Sequence, residues 1–256
     1  MTYDCPAEWD LGAGPIYERL SLAGIRSAPL SLSGRVILDI GAGTGSTSKA
    51  ILASHGWPIA VDLSLPMLAH AHDLRPPAVV GDATRLPLVD SALGGVVAAF
   101  CISHLDEPEA LLAEASRVVE TGGPVLVIVF ADSSSRHPVS EAVATAAAHL
   151  GWVQPEWYRQ LKEELEPAIS DTDRLRSLGT GAGLAQVQVN DAEVDFTDLG
   201  PHELIAWRLG GPALAPFVAQ LAPEQQEWLT TEAARALGDE PSSLLLRIRT
   251  MSGSSS

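Results

Sequence analysis

Between residues 36 and 130 the chain alternates short apolar runs with amphipathic stretches, and this alternation restricts the fold more than any other feature. Strands are predicted for the runs because they are rich in β-branched residues and end near glycine, aspartate or a polar turn. These runs are RVILDI (35–40), WPIAVD (57–62), AVVGDA (78–83), GGVVAAFCI (94–102) and PVLVIVF (124–130). Helices are predicted between them at 47–56, 65–74 and 107–120. Apolar strands separated by helices predict an α/β fold with a doubly wound, mostly parallel sheet.

After residue 130 the alternation stops. PVSEAVATAAAHLGW, PEWYRQLKEELEPAI and DRLRSLG are predicted as successive helices, the last one capped by the preceding SDTD segment. Two later strands are predicted at 185–196 and 242–250, with helical segments between them. A parallel core that ends in late strands, with helices inserted before them, predicts one elaborated domain.

The charge of the chain limits its partners. The formal net charge is −16, and the 16 basic residues are scattered along the sequence. Because nucleic-acid binding depends on clustered lysine and arginine, we expect no nucleic-acid partner. The acidity favours a small, neutral or cationic substrate, although it is equally explained by solubility alone.

Other compositional features point to the cytoplasm and away from a metal centre. Cys5 and Cys101 are the only cysteines and have neither a disulfide framework nor the spacing of zinc ligands. The first residues do not have the pattern of a secretory signal. No apolar run reaches the ~18 residues that cross a bilayer, so no membrane association is expected.

A glycine-rich turn follows the first predicted strand. In VILDIGAGTGST, glycine occupies positions 41, 43 and 45, between a buried strand and a predicted helix. Such a turn brings a ligand close to main-chain groups and to the amides of a helix N-terminus. Nicotinamide and flavin sites use G-x-G-x-x-G, whereas Ser46 stands here in place of the third glycine. The turn therefore predicts a nucleotide-like ligand of a different kind.

Two aspartates follow the next strands in order. Asp62 ends the second strand, where a carboxylate accepts both hydroxyls of a ribose, and Asp82 follows the third strand in Gly-Asp-Ala. With the segments TRLPLVD and AAFCISHLDEPEALLAEASRVVETGG, this succession resembles the class I S-adenosylmethionine-dependent methyltransferases. The resemblance is to the small-molecule type similar to ubiquinone and menaquinone C-methyltransferases, and it extends from about Tyr3 to Phe130.

The resemblance implies S-adenosylmethionine as cofactor, with S-adenosylhomocysteine as its product, and a set of binding residues. The methionine part would be held by Asp39 and the glycine turn, the ribose by Asp62, and the adenine by Asp82 and Ala83. Alternatively, Asp39 only organises the turn, and Met67 belongs to the helix core. The implied cofactor-binding residues are Asp39, Gly41, Ala42, Gly43, Gly45, Asp62, Leu63, Met67, Asp82, Ala83, Ala99 and Phe100.

Candidates for catalysis and acceptor binding follow from the same sheet edge. His104, after the fourth strand, is a candidate general base or a structural loop residue, and His137, after the fifth strand, is a second candidate. Tyr17, Trp152 and Trp157 are candidates to enclose a flat or apolar acceptor, although each also suits ordinary helix packing.

These assignments divide the chain by role. We expect an N-terminal helical segment over the active site (1–34), a cofactor-binding core (35–130) and a helical substrate lid (131–184). Terminal strands of the same sheet with an inserted helical segment follow (185–250), and a disordered tail ends the chain (251–256).

The predicted function is methyl transfer by in-line displacement to a small-molecule acceptor, such as a secondary-metabolite intermediate. A first alternative is a cyclase or rearrangement catalyst that uses bound S-adenosylmethionine without net methyl transfer. Two more distant alternatives are a nicotinamide-dependent oxidoreductase, which Ser46 disfavours, and a non-enzymatic binding protein, which the retained Asp62 and Asp82 disfavour. The sequence does not specify an oligomeric state.

Overall fold

The computed structural model describes residues 4–70, 73, 75–131, 137–238 and 244–256. Within these ranges the chain forms a seven-stranded sheet in the order β3-β2-β1-β4-β5-β7-β6. The strands are β1 (Val36–Ile40), β2 (Trp57–Asp62), β3 (Ala78–Val80), β4 (Gly95–Ala99), β5 (Pro124–Phe130), β6 (Ala185–Asp195) and β7 (Leu245–Ser254). Strands β1 to β5 pair in parallel, whereas β7 lies antiparallel between β5 and β6. The predicted doubly wound, mostly parallel fold is confirmed.

Helices cover both faces of this sheet. They are α1 (Pro6–Glu8), α2 (Gly14–Ser27), α3 (Ser46–Ala53), α4 (Leu65–Ala69), α5 (Pro108–Val118), α6 (Pro138–His149), α7 (Glu156–Gln160), α8 (Glu166–Ser170), α9 (Thr172–Gly181), α10 (Pro201–Leu209), α11 (Ala215–Val218) and α12 (Pro223–Leu237). Two π-helical turns, Trp9–Ala13 and Leu161–Leu165, lie between α1 and α2 and between α7 and α8. No helix in the described ranges has both the length and the apolar composition needed to cross a membrane.

The central strands are buried on both faces, which explains their continuous apolar sequence. Ile37 of β1 packs in one cluster with Leu20 of α2, and the next residue, Leu38, packs in the opposite cluster with Leu111 of α5. Strand order reverses between β1 and β4, and a sheet of this type binds its ligands at the carboxyl ends of the strands beside that reversal.

The prediction that residues 251–256 form a disordered tail is wrong. Strand β7 continues to Ser254 between its two neighbours, and Ser255 donates its amide to the Gly123 carbonyl. Small polar residues are weak strand formers, but this position favours them. A Cβ on Gly253 would lie 3.0 Å from the Leu184 Cβ, so the lack of a side chain permits close packing.

Several boundaries also differ from the predictions. Strand β3 is shorter because Asp82 turns back to form a bridge with Arg85. Strand β4 ends at Ala99 because Phe100 has a φ of +57°, which breaks the extended backbone. The predicted helix 65–74 includes positions 71, 72 and 74, and the predicted last strand includes 242–243; these lie outside the described residues.

Candidate active site

A cavity of about 880 Å³ lies at the carboxyl ends of β1, β2 and β4. One half, here called the cradle, is lined by the glycine turn and by residues that follow β2 and β3. The other half, here called the acceptor chamber, lies under the N-terminal segment and the helices that follow β5. Ala99 and Phe100 line the cavity at the end of β4.

The glycine turn exposes bare main chain to the cradle. Gly41, Gly43 and Gly45 all have positive φ angles, of 72°, 54° and 105°, which side chains other than glycine rarely adopt. A Cβ on Gly41 would come within 2.6 Å of the Cys101 Cβ, so a side chain there is excluded by contact as well as by backbone geometry. Helix α3 begins directly after the turn, and Ser46 and Thr47 of its first turn line the cavity.

Asp62 connects β2 to this turn. One carboxylate oxygen accepts a hydrogen bond from the Gly43 amide and the other from the Ser64 amide, both at 2.8 Å. The aspartate lines the cradle together with Leu63 and Met67. Its side chain is therefore held rigidly at the position where the sequence placed a ribose-binding carboxylate.

Asp82, after β3, is held in a local turn. Its Oδ1 accepts hydrogen bonds from the Thr84 amide at 2.8 Å and from the Thr84 hydroxyl at 2.7 Å. These hydrogen bonds lower the pKa of the Asp82 carboxyl. Asp82 and Ala83 line the cradle, so both predicted adenine-side residues lie in the same cavity as the glycine turn.

Asp39 and Gly45 differ from the other predicted cofactor residues because neither lines the described part of the cavity. Asp39 is fully buried in β1 and accepts a 2.6 Å hydrogen bond from the Ser48 hydroxyl. Its second oxygen has no hydrogen-bond partner among the described residues. Burial raises the pKa of this carboxyl to about 7, against the opposing effect of the Ser48 hydrogen bond. In this structure Asp39 supports the turn from behind.

Phe100 marks the boundary between the two halves of the cavity. Its strained backbone is fixed by a 2.8 Å hydrogen bond from its amide to the Ile128 carbonyl. Its ring lies 5.0 Å from the Tyr17 ring, edge-on, and 4.9 Å from the Phe130 ring. The end of β4 is thereby directed toward an aromatic surface.

Further aromatic side chains surround the acceptor chamber. Trp9 packs 4.7 Å from Tyr17, and Trp152 lines the chamber while donating its indole N–H to the Ala213 carbonyl. Trp157 does not line the described part of the cavity and instead contacts the ring of Tyr158, which does. Tyr17 and Trp152 therefore lie where the sequence predicted acceptor contacts, and Trp157 does not.

The chamber also contains a partly buried ion pair that the sequence did not predict. Lys162 donates to both carboxylate oxygens of Glu166, at 2.7 and 2.8 Å, and its ammonium lies 5.1 Å from the centre of the Phe130 ring. Glu166 is only 7% exposed. The available signal was an i,i+4 Lys–Glu pair in a helix beside apolar residues, in a chain with only two lysines.

His104 lines the chamber from a short 3₁₀ turn, Ile102–His104, that follows β4. Burial lowers its pKa to about 4, and the nearby Lys162 ammonium contributes in the same direction. The imidazole is therefore neutral at pH 7. It can accept a hydrogen bond there, but it is a weaker base than an ordinary histidine.

His137 also lines the cavity, and it has a local structural role. It is the N-cap of α6, and its Nδ1 accepts a hydrogen bond from the Val139 amide at 3.3 Å. This contact accounts for a histidine at the start of α6 without any catalytic function.

Hydrogen bonds hold the N-terminal segment against the glycine turn. Asp10 accepts a hydrogen bond from the Thr44 hydroxyl at 3.3 Å, and its other oxygen lies 3.7 Å from the His70 Nε2. Asp4 accepts a hydrogen bond from the Ser64 hydroxyl at 3.1 Å. The segment before α2 thus contacts both the turn and the end of β2.

The fit of this cradle to a nucleoside-bearing ligand rests on three of its features. They are the bare main chain at Gly41 and Gly43, the fixed carboxylate of Asp62, and the Asp82–Ala83 turn on the adjacent strand. Together with the doubly wound sheet, they define the class of S-adenosylmethionine-dependent methyltransferases.

Comparison with known proteins agrees with this class. A family model described as a methyltransferase domain matches residues 38–127. A demethylmenaquinone methyltransferase of Mycobacterium marinum is 30% identical over 177 residues, which are 69% of this chain and 73% of that protein. The chain belongs to the class I S-adenosylmethionine-dependent methyltransferases, similar to the quinone methyltransferases, and its cofactor is S-adenosylmethionine.

Solved structures share the fold at lower identity. A phosphoethanolamine N-methyltransferase of Haemonchus contortus, in complex with phosphomonomethylethanolamine and S-adenosylhomocysteine, has a TM-score of 0.56 and 17% identity over 95% of this chain and 53% of that one. The [4+2]-cyclase SpnF has a TM-score of 0.52 and 16% identity over 93% of this chain and 80% of that one. The fold therefore occurs with more than one type of reaction.

Proposed function

We propose that this enzyme transfers the methyl group of S-adenosylmethionine to a small, largely planar acceptor bound in the acceptor chamber. The observation that carries the proposal is that the cradle and the chamber form one continuous cavity, joined at Ala99 and Phe100. The rings of Trp9, Tyr17 and Phe130 supply flat apolar surfaces for the acceptor. We also propose that the acceptor is a natural-product intermediate, by association with the alanine-, arginine- and leucine-rich, lysine-poor composition typical of high-GC bacteria.

In this proposal the residues of the cradle bind and orient the cofactor. The glycine turn receives the methionine part, Asp62 receives the ribose hydroxyls, and Asp82 with Ala83 receives the adenine edge. The cofactor supplies an electrophilic methyl group on a sulfonium. Because the displacement is in line, alignment and exclusion of water supply most of the catalysis, and effects of this kind reach about 7–11 kcal/mol in well-oriented reactions.

His104 has a restricted role in this chemistry. Because the pKa of His104 is about 4, its imidazole is too weak a base to remove a proton from an ordinary phenol or ammonium. We therefore propose an acceptor whose nucleophilic atom ionises readily, such as an enol or an acidic phenol. It loses its proton to solvent before the transfer, and the N–H of neutral His104 donates a hydrogen bond to the resulting oxyanion. His137 acts in this scheme as the cap of α6.

The test combines product detection with cofactor binding. The enzyme is incubated with S-adenosylmethionine and a panel of planar enols and phenols, and mass spectrometry follows +14 Da products and S-adenosylhomocysteine. We expect both to appear together for at least one acceptor. A converted acceptor of unchanged mass, without S-adenosylhomocysteine, would contradict methyl transfer and favour the cyclase alternative.

Asp62→Ala tests the cradle in the same system. Loss of charge-assisted hydrogen bonds should weaken S-adenosylhomocysteine binding by about 1–3 kcal/mol, measured by calorimetry. Asp106→Ala, at an exposed position, is the matched control and should bind as the wild type does. Unchanged affinity of the Asp62 variant would show that the ribose lies elsewhere.

A further inference from the structure

Arg208, in the last turn of α10, lines the acceptor chamber. Its Nε is buried and has no hydrogen-bond partner among the described residues. No carboxylate of the described chain forms an ion pair with its guanidinium, which lies 5.2 Å from the centre of the Trp207 ring. A buried donor without a partner is costly, so a partner from outside the chain is expected.

Among the described arginines, Arg75 also has buried guanidinium nitrogens without a partner, but it donates hydrogen bonds to the Met67 and Leu68 carbonyls. The chain has 32 acidic and 16 basic residues, and most of its described arginines form ion pairs with carboxylates. The paired ones are Arg19, Arg35, Arg117, Arg159, Arg174, Arg176, Arg235, Arg247 and Arg249. Arg208 lies inside a cavity instead, although carboxylates are abundant on the surface.

The charges around the chamber leave Arg208 available for an anion. Lys162 is the other lysine or arginine in the described lining, and both oxygens of Glu166 accept its hydrogen bonds. Glu141 and Glu163 also line the cavity, and neither forms an ion pair with Arg208. Among the described residues, Arg208 therefore keeps a positive charge in the cavity that no carboxylate neutralises by a direct ion pair.

Arg208 belongs to α10, which packs against the N-terminal π-helical turn and against α6, two elements that cover the acceptor chamber. Burial and the Glu166 carboxylate raise the pKa of the Tyr17 phenol, and the Arg208 guanidinium partly offsets this rise. The cation that acts on Asp39, beneath the glycine turn, is Arg75. The Tyr17 ring in turn contacts Phe100, so Arg208 is close to the aromatic surface that faces the end of β4.

We propose that the methyl acceptor carries a carboxylate and that the guanidinium of Arg208 binds it. This inference rests on the proposed function and narrows it to planar carboxylic acids. A guanidinium presents a rigid fork of donors that matches both oxygens of a carboxylate, and its face stacks on an aromatic ring. Arg208 is thus a specificity-determining residue: the apolar body of the acceptor lies among the rings, and the carboxylate fixes its direction.

The experiment compares a carboxylate with its neutral isostere. Enzyme saturated with S-adenosylhomocysteine is titrated with 2-naphthoate and with 2-naphthamide, and affinities are measured by calorimetry. Wild type should prefer the naphthoate by about tenfold or more. Arg208→Met should lose this preference and keep its S-adenosylhomocysteine affinity within about twofold, and Arg208→Lys should be intermediate because it keeps charge without the fork.

Arg26→Met is the matched control, because it removes the same charge from an exposed position of α2. It should keep the preference for the naphthoate. The melting temperature of Arg208→Met should equal or exceed that of the wild type, since the variant loses an unpartnered buried donor. A purely structural arginine would give a lower melting temperature instead.

Three results would overturn the inference. They are equal wild-type affinities for the two probes, no binding of either probe, and a tenfold loss of S-adenosylhomocysteine affinity in Arg208→Met with the probe preference intact. The last result would assign the arginine to the carboxylate of the cofactor. Failure of methyl transfer itself is distinguishable, because it would leave the probe preference in place while no acceptor yields S-adenosylhomocysteine.

Discussion

Asp39 combines complete burial with a carboxyl group, and this combination links the stability of the fold to pH. Its pKa is raised to about 7, chiefly by burial. The folded state therefore binds a proton more tightly than the unfolded state does. This tighter proton binding stabilises the fold. Its contribution to the free energy of unfolding is fully present below the unfolded pKa of about 4 and is lost as the pH rises through 7.

Asp39→Asn should therefore stabilise the cofactor-free protein at pH 8. An amide has no charge to bury and keeps an acceptor for the Ser48 hydroxyl. We expect a gain of about 1–3 kcal/mol in the free energy of unfolding at pH 8, which shrinks toward pH 5. Urea denaturation at several pH values measures it, and an exposed Asp106→Asn substitution is the control. A variant with no advantage at any pH would show that Asp39 ionises freely in the fold.

The residues of the site differ in how far the sequence alone could predict them. The glycine turn and Asp62 were predictable because their chemistry is encoded within one strand–turn–helix unit. Arg208, Lys162 and Glu166 were not, because they reach the cavity only when the late helices pack against distant parts of the chain. Nothing local in HELIAWRLGG distinguishes a cavity arginine from a surface one.

At the scale of elements, the N-terminal segment contacts the cradle through polar side chains. Asp10 joins it to Thr44 in the glycine turn and approaches His70 after α4. The π-helical turn of this segment also packs closely on α10, where a Cβ on Gly12 would come within 2.1 Å of the Ala206 carbonyl oxygen. The contacts of Asp10 therefore add a polar link to the cradle to a closure that α10 also supports.

Asp10→Ala should loosen that closure. Loss of the Thr44 hydrogen bond should raise the dissociation constant of S-adenosylhomocysteine about two- to tenfold, by calorimetry. Limited proteolysis should also cut near the N-terminus faster. Leu11→Ala, which truncates a side chain that is 83% exposed in the same π-helical turn, is the control. Equal proteolysis of Asp10→Ala and wild type would refute the closing role.

Trp157 was predicted to contact the acceptor, but it does not line the described part of the cavity. The helix was predicted, but its orientation depends on the packing of the lid. Tyr158, Leu161 and Lys162, spaced by three and four residues, line the cavity. Trp157 is one position away, and about 100° around the helix axis, so it lies at the side of that surface.

At the scale of the whole molecule, β7 joins the parallel core to the late part of the chain. Its last residues pair with β5 through Ser252 and Leu126 and with β6 through Ser252 and Gln188. Met251 is completely buried in the same strand. The sheet therefore depends on residues that composition alone assigns to a solvated tail.

Deletion of residues 251–256 should consequently destabilise the entire fold. Loss of the buried Met251 side chain alone costs about 2–5 kcal/mol, and the unpaired edges of β5 and β6 add to it. We expect the melting temperature to fall by about 10 °C or more, measured by circular dichroism. Deletion of the exposed Ser256 alone is the control. A truncated protein that melts like the wild type would contradict the structural role of β7.

The parallel core was predictable because strands buried on both faces need continuous apolar sequence, as RVILDI and PVLVIVF have. The end of β7 was not, because its position is determined by partners on both sides and by space for small residues. Local propensity describes what a segment prefers alone, and tertiary pairing overrides it here.

The two π-helical turns have an evolutionary consequence. Each contains one residue more than an α-helical turn needs, and each contributes side chains to the chamber, including Trp9 in the first and Lys162 in the second. Loss of one codon within either turn would restore ordinary helical winding and leave the flanking helical residues nearly in register, so the change would be confined to the side chains of the turn itself. Homologues differing by a single residue in length at these points would present a reshaped chamber beside an unaltered cradle, so acceptor preference can diversify while the methyl donor stays the same.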